Sequence, residues 1–263
     1  MSLMLKNNKL ISLPGDELMT YEKKASNEKI SFRSLNPISK DECPHGVFCD
    51  PIQAQATTAT RFFRDEEIFK AIREYVYPLC KSNFGAELQV WSAGCSSGEE
   101  PYSIAMVLHG EFYRNKLKPS YTIFGTDINS ERLQEARIGS YMVHKSSYME
   151  PHYRKLTELF TNQNGSMMQL KDEIRSRMKY GEFDIRKCPK NHKFHYIVCN
   201  HVFQYYDESS QTDITANFCQ SIRPGGVLYI EGLTAGAART NNLRLAPGYK
   251  RLFLPPNHPH HHH

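Results

Sequence analysis

The stretch from Val90 to Ser103 constrains the fold of this chain more than any other. It reads Val-Trp-Ser-Ala-Gly-Cys-Ser-Ser-Gly-Glu-Glu-Pro-Tyr-Ser. The apolar segment Leu88 to Trp91 predicts a strand, and the glycine-containing turn after it leads to a helix that begins near Glu99. A strand, a loop and a helix in this order hold small ligands at the carboxyl end of a parallel sheet in doubly wound α/β folds.

The spacing of Gly94 and Gly98 indicates which kind of ligand fits. Glycine lets the backbone approach a ligand closely because it has no Cβ. Gly-x-x-x-Gly differs from the dinucleotide motif and from the P-loop, and no lysine stands here to reach a phosphate. A ligand without phosphates that is held partly by carboxylates fits better, and S-adenosylmethionine (SAM) is such a ligand.

Strands alternate with helices from Asp65 onward, which predicts an α/β fold with a doubly wound, mostly parallel sheet. The apolar patterns predict strands at residues 88–91, 121–125, 195–202, 227–232 and 249–254, and helices near residues 65–79, 104–112, 130–138 and 212–222. Between them, the Asn162–Gly165 turn and short apolar runs predict a small β-rich insert at residues 141–182.

The ends of the chain differ from its middle. Residues 1–54 are polar and interrupted by breakers such as Pro14-Gly15, which predicts a weakly structured arm before a domain at residues 55–254. Five of the twelve histidines lie in the last six residues. We interpret residues 255–263 as a tail carrying an expression tag and leave them out of the fold, with a native metal-binding tail as the alternative.

Composition narrows the classes of function. The net charge of +5 is a mild excess and gives no argument for nucleic acid as a partner. The polar start of the chain predicts neither a signal peptide nor insertion into a membrane. Seven scattered cysteines favour a reduced, cytoplasmic protein. We expect no metal site, because Cys43-Pro44-His45 with Cys49 lacks a second close pair of ligands.

Two acidic residues are candidates for ligand contacts. Asp127 follows the second strand, where an acid in such folds accepts hydrogen bonds from ribose hydroxyls, although it could instead cap the next helix. Glu100 could complete a capping box with Ser97, with Pro101 at the first helical position. Two adjacent glutamates exceed what capping needs, so we favour a contact between Glu100 and a cationic ligand.

Other candidates have simpler interpretations. In Thr60-Arg61-Phe62-Phe63-Arg64 the aromatic residues could be buried anchors with solvated arginines, or Arg64 could bind a carboxylate. Cys95 is expected to fill space in the loop rather than to act as a nucleophile. Tyr205 and Tyr206 either pack or place a phenol at the mouth of the site.

These pieces occur together in one family. The chain resembles the CheR chemotaxis receptor methyltransferases, which transfer a methyl group from SAM to receptor glutamates, over roughly residues 57–232. The resemblance is carried by Thr60–Arg64, by the signature from Ser92 to Ala105, by Gly125-Thr126-Asp127-Ile128 and by Glu135 to Tyr141. It implies the class I, Rossmann-like SAM-dependent methyltransferase fold, with the β-rich insert as a small subdomain.

The resemblance also implies roles for individual residues. By position, Thr60, Arg64, Glu100 and Asp127 would contact SAM, Asp184 and Ile185 would lie near the adenine, and Tyr205 corresponds to the active-site tyrosine. The candidate catalytic residues are Arg64, Tyr205 and, as a base for an amine or hydroxyl acceptor, His201. The full set of candidate contacts with SAM is Thr60, Arg64, Ala93, Gly94, Glu100, Asp127, Ile128, Asp184, Ile185, Asn200 and His201. The expected partner is a protein substrate such as a chemoreceptor or another signalling protein.

The chain departs from the family on the substrate side. The family motif Cys-Arg-Asn-Val-Met-Ile-Tyr-Phe corresponds to residues 199–206, which read Cys-Asn-His-Val-Phe-Gln-Tyr-Tyr. Asn200 and His201 therefore stand where the family has an arginine and an asparagine. Residues 230–234 stand where the family has Gly-His-Ser-Glu, and the N-terminal helical domain is not apparent. The expected reaction is glutamate O-methylation. The alternatives are an amine or hydroxyl acceptor with His201 as base, a SAM-binding regulator without turnover, and a binding module whose glycine turn is only structural.

Overall fold

The computed structural model describes residues 60–82, 87–143, 149–189 and 193–259, together with two short strands near the start of the chain. These strands, β1 (Leu5–Lys6) and β2 (Lys9–Leu10), pair antiparallel. Contacts divide the chain into Met1–Ser34 and Leu35–His263. The rest of the predicted arm, the Cys43–Cys49 segment and the final histidines lie outside the described residues, and the division at residues 54 and 255 stays a prediction.

A helical segment is the first element of the described part of the second unit. It consists of α1 (Glu66–Ala71), a π-helical turn (Ile72–Val76) and α2 (Tyr77–Ser82). Asp65 caps α1, because its side chain accepts the backbone N–H of Glu67 at 3.2 Å. Ile68, Ile72 and Val76 are buried, which confirms the predicted apolar face.

Seven strands form the central sheet. They are β3 (Leu88–Ala93), β4 (Tyr121–Asp127), β8 (Met178–Glu182), β9 (Phe194–Cys199), β10 (Ile222–Ile230), β11 (Arg244–Leu245) and β12 (Leu252–Leu254). Their order across the sheet is β11-β12-β10-β9-β3-β4-β8. The five strands β10, β9, β3, β4 and β8 run parallel to one another, whereas β12 pairs antiparallel with both β10 and β11. This arrangement confirms the predicted doubly wound, mostly parallel sheet.

Helices follow four of the parallel strands. They are α3 (Glu99–Arg114) after β3, α4 (Ser130–Ile138) after β4, α7 (Glu208–Ser221) after β9, and α8 (Ala235–Thr240) between β10 and β11. Helix α4 ends at Gly139, whose φ of 63° suits glycine, as the sequence predicts. Helix α7 begins earlier than predicted because Asp207 accepts the N–H of Ser210 at 2.8 Å and so starts the helix.

The insert between α4 and β8 holds a three-stranded antiparallel sheet. Its strands are β5 (Ser140–Met142), β6 (Thr161–Asn164) and β7 (Met167–Leu170), which lie in the order β5-β7-β6. Two helices accompany them, α5 (Pro151–Phe160) and α6 (Asp172–Arg175). The β-rich insert is therefore confirmed. Assigning Met178–Glu182 to it was wrong, because that segment pairs with β4 as the edge strand of the central sheet.

Trp91 shows how the interior of the sheet supports its ligand-facing edge. The ring is 1% exposed, and its Nε1 donates to Thr126 Oγ1 at 2.9 Å, which joins β3 to β4. The same ring packs against Phe183, just beyond the end of β8, with 5.8 Å between ring centroids. Among the described residues, no helix combines the length and apolar composition needed to cross a membrane.

Candidate functional site

A cavity of about 500 Å³ lies at the carboxyl ends of the parallel strands, a volume typical of small-molecule sites. Residues that follow β3, β4, β8 and β9 contribute to its lining, as expected for the ligand-binding edge of a doubly wound sheet. Of the predicted site residues, the cavity is lined by Thr60, Arg64, Gly94, Glu100, Asp127, Ile128, Ile185, Asn200, His201 and Tyr205. Their contacts with a ligand stay a prediction.

The turn after β3 is held close to β4 by its backbone. The N–H groups of Gly94 and Cys95 both donate to the carbonyl of Thr126, at 2.8 and 2.9 Å. Gly94 has a φ of 80°, and a Cβ at this position would stand 2.4 Å from Val202 Cγ2. Only glycine therefore fits between this turn and the segment after β9.

Asp127 fixes the next residue of the same turn. Its Oδ2 accepts the N–H of Ser96 at 2.8 Å, and its Oδ1 accepts the N–H of Asn129 at 2.9 Å. Each oxygen keeps capacity for a further donor, such as a ribose hydroxyl. The alternative that Asp127 caps α4 was wrong, because the side chain of Asn129 accepts from the first turn of that helix.

Glu100 faces the cavity from the start of α3. Its Oε1 accepts a hydrogen bond from Ser92 Oγ at 2.7 Å. Burial raises the pKa of Glu100 to about 7, although hydrogen bonds from Ser92 and Asn200 oppose the shift. The capping-box interpretation was wrong: Gly98 precedes the helix, and Ser97 Oγ donates to Glu99 instead, at 2.7 Å.

Asn200 adds an acceptor beside Glu100. The residue is 8% exposed and lines the cavity, and its Oδ1 is buried without a hydrogen-bond partner. An orphaned buried oxygen is costly, so it indicates a donor supplied from outside the chain. The ammonium group of SAM is such a donor, Glu100 adds negative charge for it, and the Gly94 turn leaves space that a Cβ would fill. The residues present therefore fit this cofactor.

The segment before α1 is anchored by its aromatic residues. Phe62 is buried and packs edge-on against Tyr141 at 4.9 Å, and Phe63 stacks on Tyr153 at 4.3 Å. The backbone N–H of Phe63 donates to Ser103 Oγ at 3.0 Å. The anchor interpretation of the phenylalanines is thus correct, and the anchored segment brings Arg64 to the cavity.

A charged network lies around His201, the residue after Asn200. His201 has a φ of 60°, and its backbone N–H donates to Glu231 Oε2 at 3.1 Å. The same carboxylate contacts Nδ1 of the ring and lies 3.5 Å from Arg251. Arg251 also pairs with Asp65 at 2.5 Å. Burial lowers the pKa of His201 below its ordinary value, although Glu231 opposes the shift.

Some predicted residues lie elsewhere or act differently. Ala93 is fully buried at the end of β3, and the Asp184 carboxylate pairs with Arg186 at 2.6 Å, so neither lines the cavity. Cys95 is buried, and burial raises the pKa of its thiol well above its usual range, in agreement with the space-filling interpretation. Tyr205 ends a 3₁₀ turn and lines the cavity together with Tyr206.

Several residues of this site were not predicted from the sequence. Phe183 lines the cavity because it follows β8, and it could have been found had Met178–Glu182 been assigned to the central sheet. Asp65 was noted only as the start of a helix. Glu231 was noted only as a departure from a motif, and no sequence signal pairs it with His201.

Comparison with known proteins gives one family and many relatives. Residues 58–236 match the family model for the CheR methyltransferase, SAM binding domain. A probable chemotaxis protein methyltransferase from Rhizobium etli is 33% identical over 180 residues, which are 66% of each chain. Chemotaxis protein methyltransferase 1 from Pseudomonas aeruginosa is 30% identical over 185 residues, which are 68% of this chain and 66% of the relative. The chain thus spans about 66% of the length of these relatives.

Among solved structures, a TehB-like SAM-dependent methyltransferase from Corynebacterium glutamicum is 12% identical, with a TM-score of 0.38; the match covers 72% of this chain and 92% of that one. This distant likeness carries no argument. The fold class rests on the strand order, and the family rests on the match to the family model. SAM is the cofactor of the matched domain. Because the family model covers more than half of the sequence, the chain belongs to the CheR methyltransferase family.

Proposed function

We propose that this protein transfers the methyl group of SAM to a side-chain carboxylate of a protein, most simply a glutamate. The observation that carries the proposal is the shared cavity. Glu100 and Asp127 face it from two sides of the glycine turn, and Arg64 and Tyr205 line it as well. One cavity therefore offers acids for the cofactor together with a cation and a phenol for an acceptor.

Bound SAM supplies an electrophilic methyl group on a positively charged sulfur. A glutamate has an ordinary pKa of about 4.3, so it is ionised at neutral pH and needs no general base. The chain must align the carboxylate and exclude water from it. Arg64 would bind the carboxylate through its guanidinium, and the Tyr205 hydroxyl would donate a hydrogen bond or form the wall of the acceptor channel.

The names of the relatives favour a chemoreceptor or another signalling protein as the substrate. The chain would work in the cytoplasm, a proposal supported by the free thiols of the described residues Cys80, Cys95, Cys188, Cys199 and Cys219.

The test uses the full chain with methyl-labelled SAM, a chemoreceptor cytoplasmic fragment and glutamate-containing peptides. We expect label on protein that alkali releases as methanol, because methyl esters hydrolyse in base. Arg64→Ala should reduce this label strongly, while Arg154→Ala, at an exposed arginine on α5, should not. Binding of SAM without transfer to any acceptor would refute the enzyme and leave a SAM-binding regulator.

A further inference from the structure

The carboxylate methylation proposed above uses neither His201 nor its pairing with Glu231. Glu231 Oε2 bonds both the backbone N–H and the ring Nδ1 of His201, so it fixes the residue at two points. The left-handed backbone of His201 carries a strain of about 1–3 kcal/mol that the surrounding contacts must sustain. Strain of this kind is concentrated where a side chain has to be aimed.

The contact with Glu231 determines which ring nitrogen is available. A neutral imidazole carries one proton, and a carboxylate at Nδ1 places that proton there. Nε2 then bears the lone pair, and no described residue hydrogen-bonds it. The side chain is 30% exposed and lines the cavity, so this nitrogen is open to an acceptor in the cavity.

The charged groups around the ring favour its neutral form. Glu231 faces it from the end of β10, Arg251 from the segment before β12, and Arg64 and Asp65 from the segment before α1. Burial and the two arginines lower the pKa of His201, and the two acids raise it, with a net lowering. The lowered pKa favours the neutral ring at neutral pH, which is the form that can accept a proton.

We infer that His201, held by Glu231, is a general base that lets this site methylate a hydroxyl oxygen, phenolic or alcoholic, in addition to a carboxylate. The inference rests on the proposed methyl transfer. An ionised carboxylate has no proton to lose, whereas a hydroxyl must lose one as it attacks. Arg64 in the same cavity disfavours an ammonium acceptor and favours an oxygen that gains negative charge.

A lone pair of the hydroxyl oxygen forms the new bond to the methyl carbon as the bond between that carbon and the sulfonium sulfur breaks, and the bonding pair stays on sulfur as a thioether. The hydroxyl proton moves to His201 Nε2. The resulting imidazolium is stabilised by Glu231 and later releases the proton to solvent.

The first experiment reads the ring directly. Long-range ¹H–¹⁵N spectra of the full chain at pH 7.5 should show His201 with its proton on Nδ1 and a bare Nε2, and Glu231→Gln should weaken that preference. A proton on Nε2, or a charged ring at this pH, would overturn the assignment. Glu158→Gln, at an exposed glutamate on α5, is the matched control.

The second experiment tests the acceptor with labelled SAM and three blocked peptides that differ only in a central Glu, Tyr or Ser. We expect alkali-stable label on the Tyr or Ser peptide, at a rate that rises with pH through the pKa of His201 and is flat above it. His201→Asn keeps a residue that tolerates the left-handed backbone, and it should lower the ratio of ether to ester at least ~100-fold. His152→Asn, at an exposed histidine, should leave the ratio unchanged.

The outcomes separate the two proposals. Ester alone, without ether on either hydroxyl peptide, overturns the inference and leaves the carboxylate methyltransferase standing. Ether that forms equally well in His201→Asn overturns the role of His201. If no peptide or receptor fragment is methylated although S-adenosylhomocysteine binds, the proposed function fails, and the inference fails with it.

Discussion

Asp127 at the end of β4 accepts the backbone N–H of Ser96 in the turn after β3, at 2.8 Å. The acid expected to bind ribose is therefore also the residue that holds the neighbouring turn in place. The proposed contact with the nucleoside and the shape of the turn depend on one carboxylate, and a change at Asp127 should affect both.

Asp127→Asn should separate these two roles only in part. The amide oxygen can accept one of the two backbone N–H groups, but the NH₂ group then faces the other, and the negative charge is lost. We expect affinity for S-adenosylhomocysteine to fall ~10-fold or more by calorimetry, with faster hydrogen exchange at the Ser96 amide. Asp172→Asn, whose side chain is 95% exposed, is the control. Unchanged exchange at Ser96 would contradict the anchoring role.

Gly94→Ala should damage the site through sterics and backbone strain together. The alanine would keep a φ of 80° and place its Cβ 2.4 Å from Val202 Cγ2. A left-handed backbone alone costs about 1–2 kcal/mol for a residue with a Cβ. Gly165→Ala is the matched control, since Gly165 has a φ of 58° with nothing within 4 Å of an added Cβ.

Thermal melts should therefore show a larger loss of stability for Gly94→Ala than for Gly165→Ala, and only the former should lose cofactor binding. Adding Val202→Ala should restore part of the loss, because it removes the methyl group that the new Cβ meets. Equal destabilisation by both glycine substitutions would show that the clash is relieved without cost.

Glu100 should make cofactor binding depend on pH. Because its pKa is raised to about 7, the carboxylate gains its charge as pH rises through that value. Affinity for cationic SAM should then increase between about pH 6 and pH 8, and Glu100→Gln should bind more weakly with a flatter profile. Calorimetry across this range measures it, with Glu158→Gln as control. A wild-type affinity that does not change over this range would refute the role of Glu100.

The stability of the ligand-free protein should change with pH in the opposite direction. A carboxyl group whose pKa is raised in the folded state stabilises the fold while it is protonated. That contribution is full below the ordinary glutamate pKa of about 4.3 and is lost as pH rises through about 7. The stability of Glu100→Gln relative to wild type should therefore increase from pH 5 to pH 8 in denaturant titrations. A difference that stays constant with pH would contradict this expectation.

Asp65 should contribute more than an ordinary helix cap. Its carboxylate accepts from Glu67 N at the start of α1 and from the Tyr229 hydroxyl at 2.5 Å, and it pairs with Arg251. Asp65→Ala removes the cap and leaves two polar groups without their partner, so we expect a loss of about 2–4 kcal/mol in the free energy of unfolding. Asp207→Ala, at the exposed cap of α7, should cost less. Equal losses would show that the network adds nothing.

Much of the fold could be predicted because its signals are local. The helix Ser130–Ile138 lies between a capping residue and Gly139, and the buried strands β3 and β4 are apolar runs that end in turns. Edge strand β8 was misplaced because its half-buried Met-Lys-Tyr-Gly-Glu sequence has no apolar alternation. Only pairing with β4, about fifty residues earlier in the sequence, gives it a place in the sheet.

The site was predictable where residues directly follow strand ends, as at Gly94 and Asp127. The charged network of Asp65, His201, Glu231 and Arg251 was not predictable. Glu231 meets His201 at the ends of the neighbouring strands β9 and β10, and Arg251 pairs with Asp65 although the two residues lie far apart in the sequence. Such pairs depend on sheet topology, and nothing in the residues themselves identifies the partner. The same holds for Asn200 Oδ1, whose missing hydrogen bond can be recognised only once its surroundings are known.

Trp91 is the only tryptophan of the chain, and its ring touches Phe183, which lines the cavity. An adenine that displaces water from Phe183 would change the packing and polarity around the indole. The protein thus carries an intrinsic fluorophore one side chain away from the cavity, so emission should report cofactor binding there without any label.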